Sequence, residues 1–180
     1  MNLALLGVIQ QAANEAFGAY ELIDEIEVSA DATTVSFTGL SLNEDDEILL
    51  VADHVNDLAG NTGLYLSVNS LTAITNYYRQ LLTANDTALT TTRANNNFIT
   101  FTTAGEKSLV FVEMKLTEGG YFTCQAYSHR DYDGISLRIY NNFIVATTTQ
   151  SGITSITITA RDSNGISSGS HFWLYKKGES

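Results

Sequence analysis

Ile153-Thr154-Ser155-Ile156-Thr157-Ile158-Thr159, Ala160-Arg161-Asp162-Ser163-Asn164-Gly165, Ile166 to Gly169, and Ser170-His171-Phe172-Trp173-Leu174-Tyr175-Lys176 form the stretch that decides the fold. Its first run alternates apolar and hydroxyl side chains, the two-residue period of a half-buried strand. Thr and Ile are both β-branched and fit a pleated surface. Asn164-Gly165 is the strongest short turn signal between strands. The last run is rich in aromatics. Together they predict a terminal pair of antiparallel strands closing a β-sandwich.

Upstream, the same signals recur at short spacing. Ile26 and Val28 alternate with acids, and Val35 and Phe37 alternate with hydroxyls, with a turn near Asp31-Ala32. Ile48-Leu49-Leu50-Val51-Ala52 is nearly continuous and predicts a strand buried on both faces. Leu64 to Val68, Tyr77 to Leu82, Phe98 to Phe101, Leu109 to Lys115, Tyr121 to Tyr127, Ser136 to Tyr140 and Phe143 to Ala146 complete the set. Thr83 to Asn97 is expected to be a long exposed loop. About eight to ten strands at regular turn spacing are the pattern of a sandwich or jelly roll.

Residues 2–20 differ. Leu5, Leu6, Ile9, Ala12, Ala13, Ala16, Phe17 and Tyr20 recur at three- and four-residue spacing, the stripe of an amphipathic helix. Such a helix either packs on its own sandwich or docks as an arm on a neighbouring subunit. The expected organisation is a helical arm over residues 1–24 and one β-domain over 25–180. Leu5, Leu6, Ile9 and Phe17 are the candidate interface residues.

Composition narrows the function. The chain has 180 residues and a net charge of -11, from 20 Asp and Glu against 9 Lys and Arg. Phosphate-mediated nucleic-acid binding needs a basic surface, which this balance does not offer. The apolar N-terminal run breaks at Gln10-Gln11, before the ~20 residues a membrane span needs. The expectation is therefore no nucleic-acid partner and no membrane. The single cysteine, Cys124, lies in an apolar run and reads as a buried, inert thiol.

Chemistry is sparsely signalled. His54, His129 and His171 stand at no metal-ligand spacing and read as surface or edge residues. Asp131-Tyr132-Asp133-Gly134 reads as a turn rather than a calcium loop, lacking the terminal Glu and further acids. Glu44-Asp45-Asp46-Glu47 reads as a solvated acidic loop, with a cation held between subunits as the alternative. No pair of carboxylates is marked for glycoside hydrolysis, and no nucleophile or phosphate-loop motif is present. No catalytic residue, metal ligand or cofactor is expected. The many Tyr residues and Trp173 are expected in the core and in cross-strand pairs, with sugar stacking as the alternative if they are exposed.

The run Ile153 to Ile158, the polar turn at Asn164-Gly165, Gly169-Ser170 and Leu174-Tyr175 resemble the ending of jelly-roll virion proteins of tailed bacteriophages. Thr34 to Leu40, Ile48 to Val51, Leu64 to Asn69 and Asn76-Tyr77 are similar to the same group. The likeness is a sparse pattern over most of residues 30–176. It departs at Lys176-Lys177, where relatives often carry Gly, and leaves the arm uncovered. The resemblance implies a non-enzymatic part of the particle. The leading expectation is a capsid decoration or cement protein, a homotrimer on the outer surface of the head. It would bridge the major capsid protein or another virion protein. The alternative is a tail-fibre or baseplate tip that binds a host receptor. A polysaccharide depolymerase or lectin-like glycosidase is a third, weaker expectation.

Overall fold

The computed structural model describes residues 20–44, 46–85, 88–132 and 136–178. These form twelve strands: β1 (Tyr20–Glu27), β2 (Thr34–Leu42), β3 (Ile48–Asn56), β4 (Thr62–Val68), β5 (Tyr77–Asn85), β6 (Ala88–Asn95), β7 (Phe98–Thr102), β8 (Glu106–Leu116), β9 (Tyr121–Tyr132), β10 (Ser136–Thr149), β11 (Ile153–Ala160) and β12 (His171–Lys177). One short 3-10 turn, Ile74–Asn76, precedes β5. The sheets run β1-β12-β3-β8-β9-β10-β5-β6 and β2-β11-β4-β7, and every pair is antiparallel.

The pairing is nested: β1 with β12, β2 with β11, β3 with β8, β4 with β7. That is a long hairpin rolled up on itself, the eight-stranded jelly roll. Two further hairpins are inserted, β5–β6 between β4 and β7, and β9–β10 between β8 and β11. Pairing of β10 with β5 joins them, extending the first sheet beyond β8. The all-β, antiparallel jelly-roll sandwich expected from the sequence is the fold observed.

Three local expectations are corrected. β11 and β12 both exist, but they do not pair with each other. β11 lies between β2 and β4 in one sheet, and β12 between β1 and β3 in the other. Facing sheets stand about 10 Å apart, too far for a two-residue turn, so residues 161–170 cross between them. The exposed loop expected over 83–97 is instead mostly β5 and β6, whose Thr-rich pairing runs from Tyr78↔Asn95 to Asn85↔Ala88. Residues 20–24, read with the arm, belong to β1 at the edge of the larger sheet. The rest of the arm, including Leu5, Leu6, Ile9 and Phe17, lies outside the described residues.

The core lies between the sheets. Phe37, Leu50, Leu66, Ile99, Ile158 and Phe172 are among its fully buried members. Each such side chain contributes about 1.5–3 kcal/mol relative to exposure. The three Ile of β11 are all buried, although Ile153 is out of phase with Ile156 and Ile158. A register shift against β2 between Ile153 and Ser155 restores the phase.

Polar side chains tie the turns to this frame. Asn69 adopts φ 51°, a left-handed conformation that Asn tolerates. Its amide donates to Gln150 and to the Gly152 carbonyl at 2.8 Å, and its Oδ1 accepts from the Thr154 backbone N–H at 2.8 Å. Tyr77 is fully buried at the start of β5. Its hydroxyl donates to the Leu71 carbonyl at 2.8 Å and accepts from the Val68 N–H at 3.0 Å. Tyr77→Phe keeps the ring and strands both backbone groups, so it should cost about 2 kcal/mol. A urea titration followed by Trp fluorescence checks this, and an unchanged midpoint would refute the role given to the hydroxyl.

Candidate interaction surface

Alternation gives the eight-stranded sheet two faces. The inner face carries Leu50, Val110, Val112, Ala126 and Ile144, all essentially inaccessible. The outer face carries the residues between them, and these are also largely apolar. One cross-strand row runs Glu25, Trp173, Val51, Phe111, Tyr127. The next runs Leu22, Tyr175, Leu49, Glu113, Gln125, Phe143. Val145 and Tyr78 continue the face on β10 and β5, where they are register partners.

Exposure sorts the aromatics. Tyr77 and Tyr140 are core residues, as expected. Tyr78, expected in the core or in a cross-strand pair, is 60% exposed, and Phe143 is 48% and Phe111 41% exposed. The period-two pattern predicts opposite faces but does not say which face is covered. Isolated apolar surface residues are ordinary; Trp173, Val51, Phe111 and Tyr127 in one cross-strand row, with Phe143, Val145 and Tyr78 beyond it, make this face a candidate interaction surface.

Electrostatics on this face is mild. Burial, then Glu113, pushes the Tyr127 phenol up. The Tyr20 phenol is raised by burial first, then by Glu47 and Glu113. The Tyr175 phenol is raised by burial and by Glu25. His171 stacks on Trp173 with ring centroids 4.0 Å apart, and its Nε2 lies 3.5 Å from Glu25. At the far end, Tyr78, Gln80, Arg93, Asn95, Phe143 and Val145 line much of a shallow hollow of about 480 Å³.

β1 and β7, two of the four edge strands, carry features that discourage strand addition. β1 carries Glu21, Asp24, Glu25 and Glu27 and is interrupted by a register shift between Leu22 and Asp24. On the smaller sheet, the buried Asn142 side chain donates to the Ile99 carbonyl of β7 at 3.0 Å. Charges, bulges and capped carbonyls all discourage strand addition.

The histidines separate. His54 is fully buried, not a surface or edge residue. Its Nε2–H donates to the Gly165 carbonyl at 2.8 Å, because a carbonyl can only accept. Nδ1 therefore accepts from the Thr102 hydroxyl at 2.8 Å, and Thr102 accepts from Ser108 at 2.7 Å. Burial holds the imidazole below its ordinary pKa, against smaller raising contributions from the Gly165 hydrogen bond and Asp53. This network joins β3, β7, β8 and the 161–170 crossing and is structural. His171 is half-buried on the outer face, and His129 lies in β9.

Two acids of the Glu44–Glu47 loop are paired. Lys176 Nζ lies 2.6 Å from Asp46, and Lys177 Nζ 2.7 Å from Glu47. The two lysines thus tie Asp46 and Glu47 to β12. Cys124 is buried and its thiol is pushed far up by desolvation, an inert group as expected. Asp131 and Tyr132 end β9, and the rest of the Asp131–Gly134 turn lies outside the described residues. Among the described residues no group of three or more His, Cys, Asp and Glu could hold a metal ion. Among them, too, no helix is long and apolar enough to cross a membrane.

No protein-family model matches the chain, and no curated protein does. Among solved structures, it is similar to a toad ovary galectin in complex with thio-digalactose, at 8% identity and a TM-score of 0.32. That match covers 78% of this chain and 98% of the galectin. It is also similar to an endo-β-1,4-glucuronan lyase from the fungus Trichoderma reesei, at 7% identity and a TM-score of 0.28, covering 83% of this chain and 78% of the lyase. Likeness at this level carries no statement about function.

Proposed function

We propose that this chain is a non-enzymatic structural protein of a tailed-bacteriophage virion, a capsid decoration or cement protein. In this reading it sits on the outer surface of the head as a homo-oligomer and bridges capsid subunits. The observation that carries the reading is the nested pairing of β1·β12, β2·β11, β3·β8 and β4·β7. It is the architecture implied by the resemblance of residues 30–176 to virion jelly rolls. Its net charge of -11 suits a surface facing solvent. The mechanism is linkage: a protein that binds only the assembled shell raises the free energy of disassembly, and several contacts per oligomer add avidity.

The hollow at Tyr78, Arg93 and Phe143 favours a second reading, a receptor-binding tip at the tail. Aromatic rings beside Gln80 and Asn95 amides offer stacking and hydrogen bonding to a polar ligand. Quantifying this protein in intact particles, with labelling to locate it, separates the two. Many copies over the head support the decoration reading. A few copies at the tail overturn it in favour of the tip, and absence from particles overturns both.

A further inference from the structure

We propose that β6, the open edge of the eight-stranded sheet, pairs antiparallel with β6 of a second copy of this chain about a two-fold axis at Thr92. The pairing supplies a contact for the homo-oligomer of the decoration reading. It rests on strand geometry alone, so its failure leaves the particle count that tests that reading untouched.

The four edge strands among the described residues are unequal. They are β1 and β6 in one sheet and β2 and β7 in the other. β1 holds four acids and a register shift. β7 is five residues long, slips register against β4, and has its Ile99 carbonyl bonded by Asn142. β2 is broken too, by Gly39 at φ 70° and by the register shift opposite Ile153 and Ser155. β6 shows none of these interruptions. Its eight residues pair with β5 without a shift, from Tyr78↔Asn95 to Asn85↔Ala88. Arg93 is its one charge, and Thr90-Thr91-Thr92 is a β-branched run suited to a ladder. A regular, weakly charged edge is a template for another strand.

The ladder fixes which groups are on offer. The Asn96 N–H donates to the Tyr77 carbonyl at 3.1 Å, in the same register as the β5–β6 pairing. In an antiparallel ladder, residues bonded to one neighbour alternate with residues whose N–H and C=O point the other way. Asn96, Ala94, Thr92 and Thr90 therefore bond toward β5. Leu89, Thr91, Arg93 and Asn95 turn their backbone groups to the open edge, where no described strand meets them.

That phase selects the partner and its register. An axis at Thr92 sets Leu89 opposite the partner's Asn95 and Thr91 opposite the partner's Arg93. All the outward residues of both copies are then engaged, in about eight backbone hydrogen bonds. The two Thr92 side chains face each other, a favourable cross-strand pair. An axis at Arg93 would set two arginines opposite each other, and like charges so placed repel. An axis at Thr91 would leave Asn95 opposite residue 87, beyond the start of β6. Two copies, each with a net charge of -11, repel overall, but β6 brings no acid to the contact.

Cysteine substitution in the full chain tests the register. Thr92 is exposed, and Thr92→Cys would face its own copy at the ~4.5 Å Cα separation of a non-hydrogen-bonded pair, within disulfide reach. In air it should form a covalent dimer on a non-reducing gel and revert with dithiothreitol. Thr90→Cys, also exposed, would lie about 14 Å along the strand from its own copy and should not link. The native Cys124 is buried and its thiol pushed far up, so it adds no background. Thr91→Pro removes an outward N–H and spares the bonds to β5. It should halve the mass read by light scattering, with the circular dichroism unchanged. If Thr91→Pro does not fold, the cysteine pair decides without it. No covalent dimer from Thr92→Cys, equal linking by Thr90→Cys, or a mass that folded Thr91→Pro leaves unchanged overturns the proposal. So does an unmodified chain that stays monomeric at every concentration, which would leave the edge to a strand of another protein.

Discussion

His54→Ala should lower the unfolding free energy by about 3–5 kcal/mol, a large share of the ~5–15 kcal/mol typical of a domain. The substitution empties a fully buried site and strands two partners at once. The Gly165 carbonyl loses its donor at 2.8 Å, and the Thr102 hydroxyl loses its acceptor at 2.8 Å. Three strands and a crossing share the loss, so the urea midpoint should fall without a change of slope. His54→Gln can still offer an N–H to Gly165 and should recover part of the loss. A midpoint within error of the unmodified protein for His54→Ala would show that the network contributes nothing.

The same residue should make stability depend on pH. Burial keeps His54 unprotonated in the folded state at pH values where the unfolded chain, with an imidazole pKa near 6.5, takes up a proton. The unfolded state then binds more protons, so stability rises with pH there. Read downward, stability should fall as pH drops below about 6.5 and level off only below the folded pKa. Above about 6.5 the group is neutral in both states and contributes no slope. His54→Gln should remove this part of the slope, as urea titrations between pH 5 and pH 7.5 would show.

Gly165→Val should cost about 3 kcal/mol, for a reason different from the usual one for glycine in an Asn-Gly turn. Asn164 takes the left-handed conformation, at φ 59°, while Gly165 is needed for room. A Cβ there would stand 2.8 Å from Thr62 Oγ1, 2.9 Å from Ala160 Cβ and 3.0 Å from the Asp162 carbonyl oxygen. Two of these neighbours belong to β4 and β11, so the crossing must move outward and pull its carbonyl from His54. The two sites are therefore coupled. The double variant His54→Ala/Gly165→Val should lose clearly less than the sum of the single losses. Strict additivity would separate the crowding at Gly165 from the histidine network.

Much of the fold was legible because strand formation leaves a local trace. β2, β4, β8 and β11 each show alternation that can be read from a handful of neighbours. β6 was missed because Leu89-Thr90-Thr91-Thr92-Arg93 buries little and owes its place to pairing with β5. His54 was misread because a lone histidine carries no sign of burial. Its partners Thr102, Ser108 and Gly165 are remote in sequence and meet only through the nested strand order. The exposed aromatic face was half legible. The continuous apolar runs were visible, but which side the second sheet covers was not.

The sequence by itself determined an acidic, all-β antiparallel sandwich, an inert Cys124, and most strand positions, since period, composition and turn chemistry are local properties. Tertiary structure alone decided that β11 and β12 part into different sheets, that His54 is buried, and that Phe111, Phe143 and Tyr78 face outward. Those outcomes depend on which strands become neighbours, a matter of long-range packing that no short window of residues encodes.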